Sequence, residues 1–440
     1  MTEPSLIETV ADEAVTLTSE LIRIDTTNTG DPDTLVGERA AAEYVAEKLT
    51  EVGYEISYVE SGGRNRHNVI TRLAGADPGR GALLVHGHLD VVPADPSEWS
   101  VHPFSGTVQD GYVWGRGAVD MKDMVGMSLA LARHYKRNGI VPPRDIIFAF
   151  LADEEAGGKF GAQWLVEHRP DLFEGATEAV SEVGGFSVTF KDDVRTYLIE
   201  TAEKGIRWMK LRVRSTAGHG SMIHRDNAVT KLSEAVARLG NHRFPLVLTD
   251  SVREFLAGVT ELTGWDFPHD DLDGAVAKLG NISRMIGATL RDTANPTMLN
   301  AGYKSNVIPS VAEAAVDCRI LPGRLEAFDR ELDEILGPDI EKEWMELPPV
   351  ETTFDGALVD AMTASLLAED PGAKTLPYML SGGTDAKSFQ SLGIRNFGFA
   401  PLQLPADLDF SALFHGVDER VPVDALRFGT RVLDRFFRNC

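Results

Sequence analysis

Three groups of acidic and histidine residues directly follow short apolar runs in this sequence, and such side chains could bind metal ions or transfer protons. His88 and Asp90 come after the run ALLV, Glu154 and Glu155 after IIFAFL, and Glu182 after EAV. If the runs are strands of an open α/β sheet, their carboxyl ends form the edge at which ligands bind. Asp90 could then accept the second ring N–H of a metal-bound His88. The placement therefore indicates a site at one edge of a sheet.

Each group also has a purely structural interpretation. A lone His-x-Asp motif is typical of a polar turn at a strand end, and adjacent acidic residues after an apolar strand are typical of a solvated turn. The same placement after three successive runs favours a functional site over three independent turns.

Two further residues could complete such a site. Asp120 lies with Asp123 in GYVWGRGAVDMKDM, a glycine-rich turn that opens a predicted helix. An acidic residue there could simply interact with the helix dipole, or its two oxygens could bridge two cations. His415, in FHGVDER, follows the apolar run NFGFA and taken alone is typical of a surface histidine. The residues by themselves leave these alternatives open.

The elements that would position these residues are strands alternating with helices. ISYVE, HNVITRL, ALLVH, IIFAFL and EAVSE are short apolar runs, separated by helical patterns such as GERAAAEYVAEKLTEVG. This alternation predicts an α/β fold with a mixed, mostly parallel sheet flanked by helices.

Near residue 200 the pattern changes to one typical of an α+β domain. IRWMKLRVRS alternates like a strand, NAVTKLSEAVARLG is an amphipathic helix, and KSNVIPSVAEAAVDCRILPG reads as paired strands. We predict a catalytic domain of residues 1–202 and 351–440, with an inserted lid or dimerisation domain of residues 203–350. The role of residues 241–297 cannot be read from the sequence.

Composition excludes several classes of protein. A chain of 440 residues is long enough for two domains. Its net charge of −24 argues against nucleic acid and anionic membranes as partners. Two cysteines are too few for a disulfide framework, and the N-terminus has helical periodicity in place of a continuous apolar core. We therefore expect a cytoplasmic protein.

Taken in order, the motifs resemble the dinuclear-zinc metallopeptidases that include carboxypeptidase G, aminoacylase, cytosolic dipeptidases, acetylornithine deacetylase and succinyl-diaminopimelate desuccinylase. The resemblance covers essentially the whole chain, and its specificity lies in the joint order and spacing of the motifs. These are HGHLDVVP, WSVHPFSG, GRGAVDMK, ADEE, SEVGG, GHGS, SNVIP, DCRILPG, SGGTDAKSF and HGVDE.

The resemblance implies two zinc ions per subunit, with cobalt or manganese as alternatives, and a role for each residue above. His88, Asp120 and Glu182 would bind the first ion, Asp120 would bridge to the second, and Glu155 and His415 would complete the second. Asp90 would orient His88, and Glu154 would act as general base. His86 would be a structural neighbour. Relatives also imply a cis peptide bond between Asp120 and Met121.

The resemblance further implies a homodimer in which His219, in AGHGS, stabilises the oxyanion at the other subunit's site. A surface-loop histidine is the structural alternative. Arg319 and Asn306 match positions that contact a substrate carboxylate, although Arg319 could equally form a surface salt bridge on a lid strand. The backbone at Gly382, Gly383 and Thr384 would approach the same ligand.

The expected function is hydrolysis of an amide bond adjacent to a free carboxylate, by a carboxypeptidase or dipeptidase. An N-acyl amino acid deacylase, whether deacetylase, desuccinylase or aminoacylase, is the alternative within enzymes. Peptides or N-acyl amino acids would be the substrates. An inactive metal-binding scaffold is a third hypothesis, but it predicts the loss of a ligand or of the base, and all of these residues are present.

Overall fold

The computed structural model describes residues 3–191 and 194–440. It contains the α/β fold that the sequence predicts, with a large mixed sheet flanked by helices. The α-helices are α1 (Glu3–Ile22), α2 (Arg39–Thr50), α3 (Lys122–Asn138), α4 (Ala162–His168), α5 (Ala228–Asn241), α6 (Asp250–Thr263), α7 (Leu272–Ala275), α8 (Ser283–Ala288), α9 (Leu325–Leu336), α10 (Ala357–Glu369), α11 (Ala386–Phe389) and α12 (Val423–Asn439).

In these residues ten strands form the large sheet, in the order β1-β2-β6-β3-β7-β18-β9-β16, with β17 and β8 also paired to β9. The strands of the chain are β1 (Ile56–Glu60), β2 (His67–Leu73), β3 (Ala82–His88), β4 (Thr107–Gln109), β5 (Tyr112–Trp114), β6 (Ile146–Leu151), β7 (Ala176–Ser181), β8 (Phe186–Thr189), β9 (Arg195–Glu203), β10 (Gly205–Arg214), β11 (Gly218–His219), β12 (Thr293–Ala301), β13 (Val307–Ile308), β14 (Val311–Ile320), β15 (Glu341–Leu347), β16 (Val350–Glu351), β17 (Lys374–Leu380), β18 (Arg395–Gly398) and β19 (Arg420–Pro422).

The centre of the large sheet is parallel. β3 pairs in parallel with β6 and β7, and β7 with β18, while the outer pairs are antiparallel except for β17 with β9. β3 and β6 are buried along their whole length because helices cover both faces. Leu83 and Val85 pack into the core formed with α1, α3 and α12, and Leu84 packs on the opposite face with residues of α4 and α11.

A second sheet, in the order β12-β14-β10-β15, is antiparallel. Burial alternates residue by residue along β14, which is the pattern of a sheet with one covered face. The covered face packs against α5 and α9.

The chain passes between the two sheets at two short crossings. Lys204 alone separates β9 from β10, and residues 348–349 separate β15 from β16. Part of the stretch between these crossings nevertheless packs on the large sheet, because α6, α7 and α8 contribute buried apolar side chains to the core of that sheet. None of the helices in the described residues is both long enough and apolar enough to span a bilayer.

Candidate active site

The parallel strands bring the acidic and histidine residues of the sequence to one edge of the sheet. β3 ends at His88, β6 is followed by the short helix Glu154–Ala156, and β7 is followed by Glu182. β18 ends at the same edge, and the chain continues from it to His415. The side chains meet because neighbouring parallel strands end side by side.

Asp120 lies at the centre of this cluster. Its Oδ1 is 3.0 Å from His88 Nε2, and its Oδ2 is 3.2 Å from His415 Nε2. His415 Nε2 is also 3.2 Å from Glu155 Oε2, and His88 Nε2 is 3.6 Å from Glu182 Oε2. The peptide bond between Asp120 and Met121 is cis, as predicted. The distances show that each oxygen of Asp120 faces a different histidine.

Glu154 lies in the same cluster. Its Oε2 is 3.9 Å from His88 Nε2, and ligand atoms of His88, Glu154 and Glu182 lie within 4.8 Å of one another, as do those of His88, Asp120 and Glu155. Distance alone does not separate the expected base from the expected ligands. His86, by contrast, points into the core against Phe389, with ring centroids 4.8 Å apart.

The ionisable side chains of the cluster are buried close together, which shifts their pKa values. Burial, with nearby carboxylates, raises the pKa of Glu182 to about 7 and holds the pKa of Glu154 well above its usual value. Burial would lower the pKa of His88, but Glu182 and hydrogen bonds to Asp120 and Asp90 outweigh it and raise that pKa. Hydrogen bonds to Asp120 and Glu155 raise the pKa of His415 to about 10.

This donor set fits a pair of divalent cations. Imidazole nitrogens and carboxylate oxygens are the ligands that zinc takes in catalytic sites. Glu155 Oε1 is buried without a hydrogen-bond partner in the described part of the chain, which leaves it available to a cation. Binding would displace protons from the histidines and relieve repulsion among the carboxylates.

Asp90 holds several residues of the cluster in position through hydrogen bonds. It is fully buried, and its Oδ1 and Oδ2 accept hydrogen bonds from the backbone N–H groups of Glu154 and Glu155 at 3.2 and 3.1 Å. His88 Nδ1 lies 2.9 Å from the backbone oxygen of Asp90 and 3.5 Å from its Oδ1. Asn28 Nδ2 donates to Asp90 Oδ2 at 2.8 Å. Asn28 carried no signal in the sequence, because it lies in a loop far from any motif.

Glu419 is a second positioning residue that sequence reasoning missed. It is fully buried, accepts hydrogen bonds from the backbone N–H groups of Gly117, Val119 and Asp120 at 3.0, 2.8 and 3.2 Å, and pairs with Arg116 at 2.7 Å. It thus joins the segment after His415 to the loop that carries Asp120. The sequence did contain a signal for this residue, because Glu419 is the last residue of the motif HGVDE.

The backbone is unusual next to several of these residues. Asp153, Val183 and His415 have φ values of 70°, 53° and 56°, in the left-handed region that residues other than glycine rarely adopt. Val183 is β-branched, for which this region is especially unfavourable. Such conformations concentrate at functional sites because the surroundings must impose them.

The cluster opens into a cavity of about 340 Å³, the main cavity, which lies between the two sheets. Arg319 lines it, with Nε and Nη2 bound to the two carboxylate oxygens of Asp317 at 2.7 and 3.0 Å. The main cavity also has a large apolar wall. That wall includes Ile206, Trp208, Met285, Leu347, Leu380 and Phe414.

Gly382, Gly383 and Thr384 line the main cavity as well. The N–H and hydroxyl of Thr384 both donate to Glu203, so these donors already have partners. A Cβ atom on Gly383 would lie 2.1 Å from the side chain of Lys387, which explains the glycine. Ser381 and the backbone of the two glycines are therefore the parts of this loop that are left to meet a ligand.

His219 and Asn306 lie together, but away from the main cavity. They sit on a small ribbon in which His219 pairs with Val307 and the N–H of Gly220 donates to the backbone oxygen of Asn306 at 2.9 Å. Both residues are exposed, and neither is among the described residues that line the main cavity. Ser221 Oγ lies 2.8 Å from His219 Nδ1.

A cluster of imidazoles and carboxylates at the carboxyl edge of a parallel sheet, facing a ligand-sized cavity, is the arrangement that a metal-dependent hydrolase requires. The chain belongs to peptidase family M20/M25/M40, whose sequence model matches residues 84–439. This confirms the family resemblance seen in the motifs.

Three curated relatives show how this family varies. Probable carboxypeptidase S-like 2 of Dictyostelium discoideum is 27% identical over 390 residues, covering 81% of this chain and 71% of its own. Human N-fatty-acyl-amino acid synthase/hydrolase PM20D1 is 29% identical over 393 residues, covering 83% and 76%. Aminoacylase-1 of Sus scrofa is 26% identical over 425 residues, covering 93% and 90%.

Solved structures share the fold. The M20 family metallo-carboxypeptidase Sso-CP2 of Sulfolobus solfataricus superposes with a TM-score of 0.74 at 19% identity, covering 97% of this chain and 99% of its own. Human carnosine dipeptidase 1 gives 0.69 at 17% identity, covering 99% and 98%.

Proposed function

We propose that this hydrolase uses two metal ions, with zinc as the first choice, to cut an amide bond adjacent to a free carboxylate. The observation that carries the proposal is the position of Asp120, whose two oxygens face two different histidines at 3.0 and 3.2 Å. His88, Asp120 and Glu182 would hold one ion, and Asp120, Glu155 and His415 the other. Cobalt and manganese accept the same ligand types.

Bound metal ions would supply Lewis acidity and lower the pKa of the attacking water. The rest of the chemistry falls to the protein. Glu154 would take the proton of the water as the new C–O bond forms, and return it to the amide nitrogen as the C–N bond breaks. A buried carboxylate with a raised pKa suits both halves of this task.

Arg319 is proposed to bind the substrate carboxylate. One edge of its guanidinium is occupied by Asp317, but the group has five N–H donors, and the remaining edge can meet a carboxylate in the main cavity. The pairing with Asp317 also holds the side chain in one orientation. Asn306, on the ribbon with His219, would contribute from the second subunit.

A homodimer is proposed to complete the site. His219 lies outside the main cavity of its own chain, and the segments next to its ribbon carry the apolar residues Met222, Ile223 and Tyr303, which are exposed by 67%, 94% and 84%. β12 is an edge strand that also exposes Met298 and Leu299. Exposed apolar patches and free sheet edges are typical of protein contact surfaces. His219 would then donate to the oxyanion in the partner's site.

We also propose that residues 203–350 act as the lid and dimerisation domain, attached to the catalytic domain at Lys204 and residues 348–349. α6, α7 and α8 would move with the catalytic domain, because they pack in its core. The chain's two cysteines, Cys318 and Cys440, are buried thiols, which suits the cytoplasm.

Two substrate classes fit this chemistry. The carboxypeptidase and the dipeptidase among the solved structures favour a peptidase, and a dipeptide would present its free carboxylate to Arg319. The relatives PM20D1 and aminoacylase-1 favour an N-acyl amino acid as the substrate, and the apolar wall of the main cavity suits an acyl group.

The test is a hydrolysis panel on protein reconstituted with zinc and assayed for metal content. Dipeptides, N-acetyl, N-succinyl and long-chain N-acyl amino acids would each be compared with the analogue whose carboxylate is amidated. We expect about two metal ions per chain and a large loss of kcat/KM on amidation. Equal rates for carboxylate and amide, or activity without metal, would contradict the proposal.

A further inference from the structure

A second cavity, here called the side cavity, lies next to the main cavity. Its volume is about 220 Å³, and apolar side chains dominate its wall. β8 supplies Phe186 and Val188, the stretch between α6 and α8 supplies Trp265 and Leu279, and the segment after β18 supplies Phe410. Phe190 and Trp265 meet edge to face, with ring centroids 6.2 Å apart.

The side cavity adjoins the candidate active site. Met285 and Ser411 line both cavities. A row of three aromatic rings follows the same path, from Phe414 in the main cavity to Phe410 and then Phe186 in the side cavity, with successive centroids 5.1 Å apart. Phe414 directly precedes His415, so the path starts beside the cluster of proposed metal ligands.

The described part of the side cavity's wall differs in charge from the rest of the protein. The chain carries a net charge of −24, yet no Asp or Glu is among the described residues of its wall. Its one Lys, Lys278, donates to the backbone oxygen of Asp266 at 2.9 Å and lies over the ring of Phe267. A cationic occupant would therefore lose hydration without meeting a carboxylate among the described residues of the wall.

We propose that the side cavity binds the unbranched aliphatic acyl chain of an N-acyl amino acid whose amide bond lies in the main cavity. The proposal rests on the amide hydrolysis proposed above and names its acyl substrate. A hydrocarbon chain needs only apolar surface, which most of the described side chains of the wall provide, whereas a longer peptide would also need a partner for each buried N–H and C=O group. Met285 and Ser411 lie at the boundary that the two cavities share.

The proposal predicts a dependence on chain length. Each methylene buried in an apolar site should raise kcat/KM by roughly fourfold until the side cavity is filled. The measurement compares N-acetyl, N-hexanoyl and N-dodecanoyl derivatives of one amino acid on zinc-loaded protein. We expect the dodecanoyl substrate to exceed the acetyl substrate by at least a hundredfold.

Val188→Phe tests the location, because it fills the side cavity from a half-buried strand position outside the main cavity. The dodecanoyl-to-acetyl ratio of kcat/KM should fall at least tenfold. Val141→Phe is the matched control, since Val141 is 61% exposed and lines neither cavity among the described residues. It should keep the wild-type ratio.

Binding of dodecanoate, measured by tryptophan fluorescence on metal-free protein, gives a readout independent of turnover. The signal should change on addition of dodecanoate, and Trp265→Phe should remove most of the change. Val188→Phe should weaken the binding at least tenfold.

A wild-type ratio near one, or a ratio and a dodecanoate affinity that Val188→Phe leaves intact, overturns the acyl-chain proposal. It leaves amide hydrolysis standing if short substrates are cut. If no substrate with a free carboxylate is cut but dodecanoate binds as described, the proposed function fails and the side cavity remains an aliphatic-chain site.

Discussion

The backbone N–H of Glu154 donates a hydrogen bond to Oδ1 of Asp90 at 3.2 Å. The residue expected to orient His88 therefore also holds the backbone of the expected base. The other oxygen of Asp90 holds the N–H of Glu155 at 3.1 Å, so one buried carboxylate positions two adjacent glutamates with different proposed roles. This arrangement makes the two roles separable by mutation, since neither variant side chain disturbs the bonds to Asp90.

Glu154→Gln should retain the metal content of the wild type and lose several orders of magnitude in kcat, because only proton transfer is removed. Glu155→Gln should instead deplete one of the two metal ions. Elemental analysis and steady-state kinetics on both variants check this. A Glu154→Gln enzyme with a near-native rate would rule out the base, and metal loss in both variants would make Glu154 a ligand.

His219→Ala should fold and bind metal normally, while kcat falls by roughly a hundred- to a thousandfold, the usual loss for one oxyanion donor. If His219 acts across the dimer, mixing His219→Ala chains with Glu154→Gln chains should restore activity. One site of each mixed dimer would combine an intact Glu154 with an intact His219. The result to look for is activity that rises as subunits exchange.

Subunit exchange must be shown independently, for example by energy transfer between labelled chains. Exchange without recovery of activity would mean that His219 acts within its own chain or not at all. His224→Ala is a suitable control, because His224 lies in the same segment and is half-buried against Gly218, outside the main cavity.

Glu419→Gln should destabilise the protein by about 3 to 5 kcal/mol, because it leaves the buried Arg116 without its charge partner. The loop that carries Asp120 should loosen as well, so metal affinity should fall. Urea unfolding and metal titration measure the two effects. Asp418→Asn is the matched control, since the side chain of Asp418, next to Glu419, accepts its described hydrogen bonds from exposed Ser100. Equal effects of the two substitutions would refute the positioning role.

The buried Lys204 should make the free energy of unfolding depend on pH. It is buried where the chain crosses between the sheets, its Nζ donates to the backbone oxygens of Ala288 and Arg291 at 3.0 and 2.8 Å, and burial lowers its pKa to about 8. Between pH 8 and the unfolded pKa of about 10.4, the unfolded chain holds a proton that the folded chain has released. Stability linked to this group therefore rises with pH in that window.

The comparison with Lys204→Met isolates this contribution. The difference in free energy of unfolding, wild type minus variant, should increase by about 3 kcal/mol from pH 8 to pH 10.4. Urea unfolding of both proteins at several pH values in this range measures it. A difference that stays constant with pH would show that the ammonium is not forced to give up its proton on folding.

Much of the candidate site was predictable from the sequence because its signals are local. An apolar run followed by an acid or histidine marks a strand end, and parallel strands must end side by side, so His88, Glu154 and Glu182 could be grouped without coordinates. The alternation of apolar runs with helical patterns predicted the α/β fold, and the order of the motifs identified the family. His415 is the intermediate case, since only the motif order, and no local pattern, connected it to the cluster.

The tertiary structure alone decided which distant segments meet. Asn28 and Glu419 support the site through hydrogen bonds to residues far away in the chain. The motif HGVDE contains Glu419, but no spacing rule predicts the contact that either residue makes. The side cavity has the same character, because its wall combines β8, the segment around α8 and the segment after β18. A strand end is determined by a few adjacent residues, whereas a cavity is determined by how whole elements pack. The chemistry was therefore readable from the sequence, and the shape that selects the substrate was not.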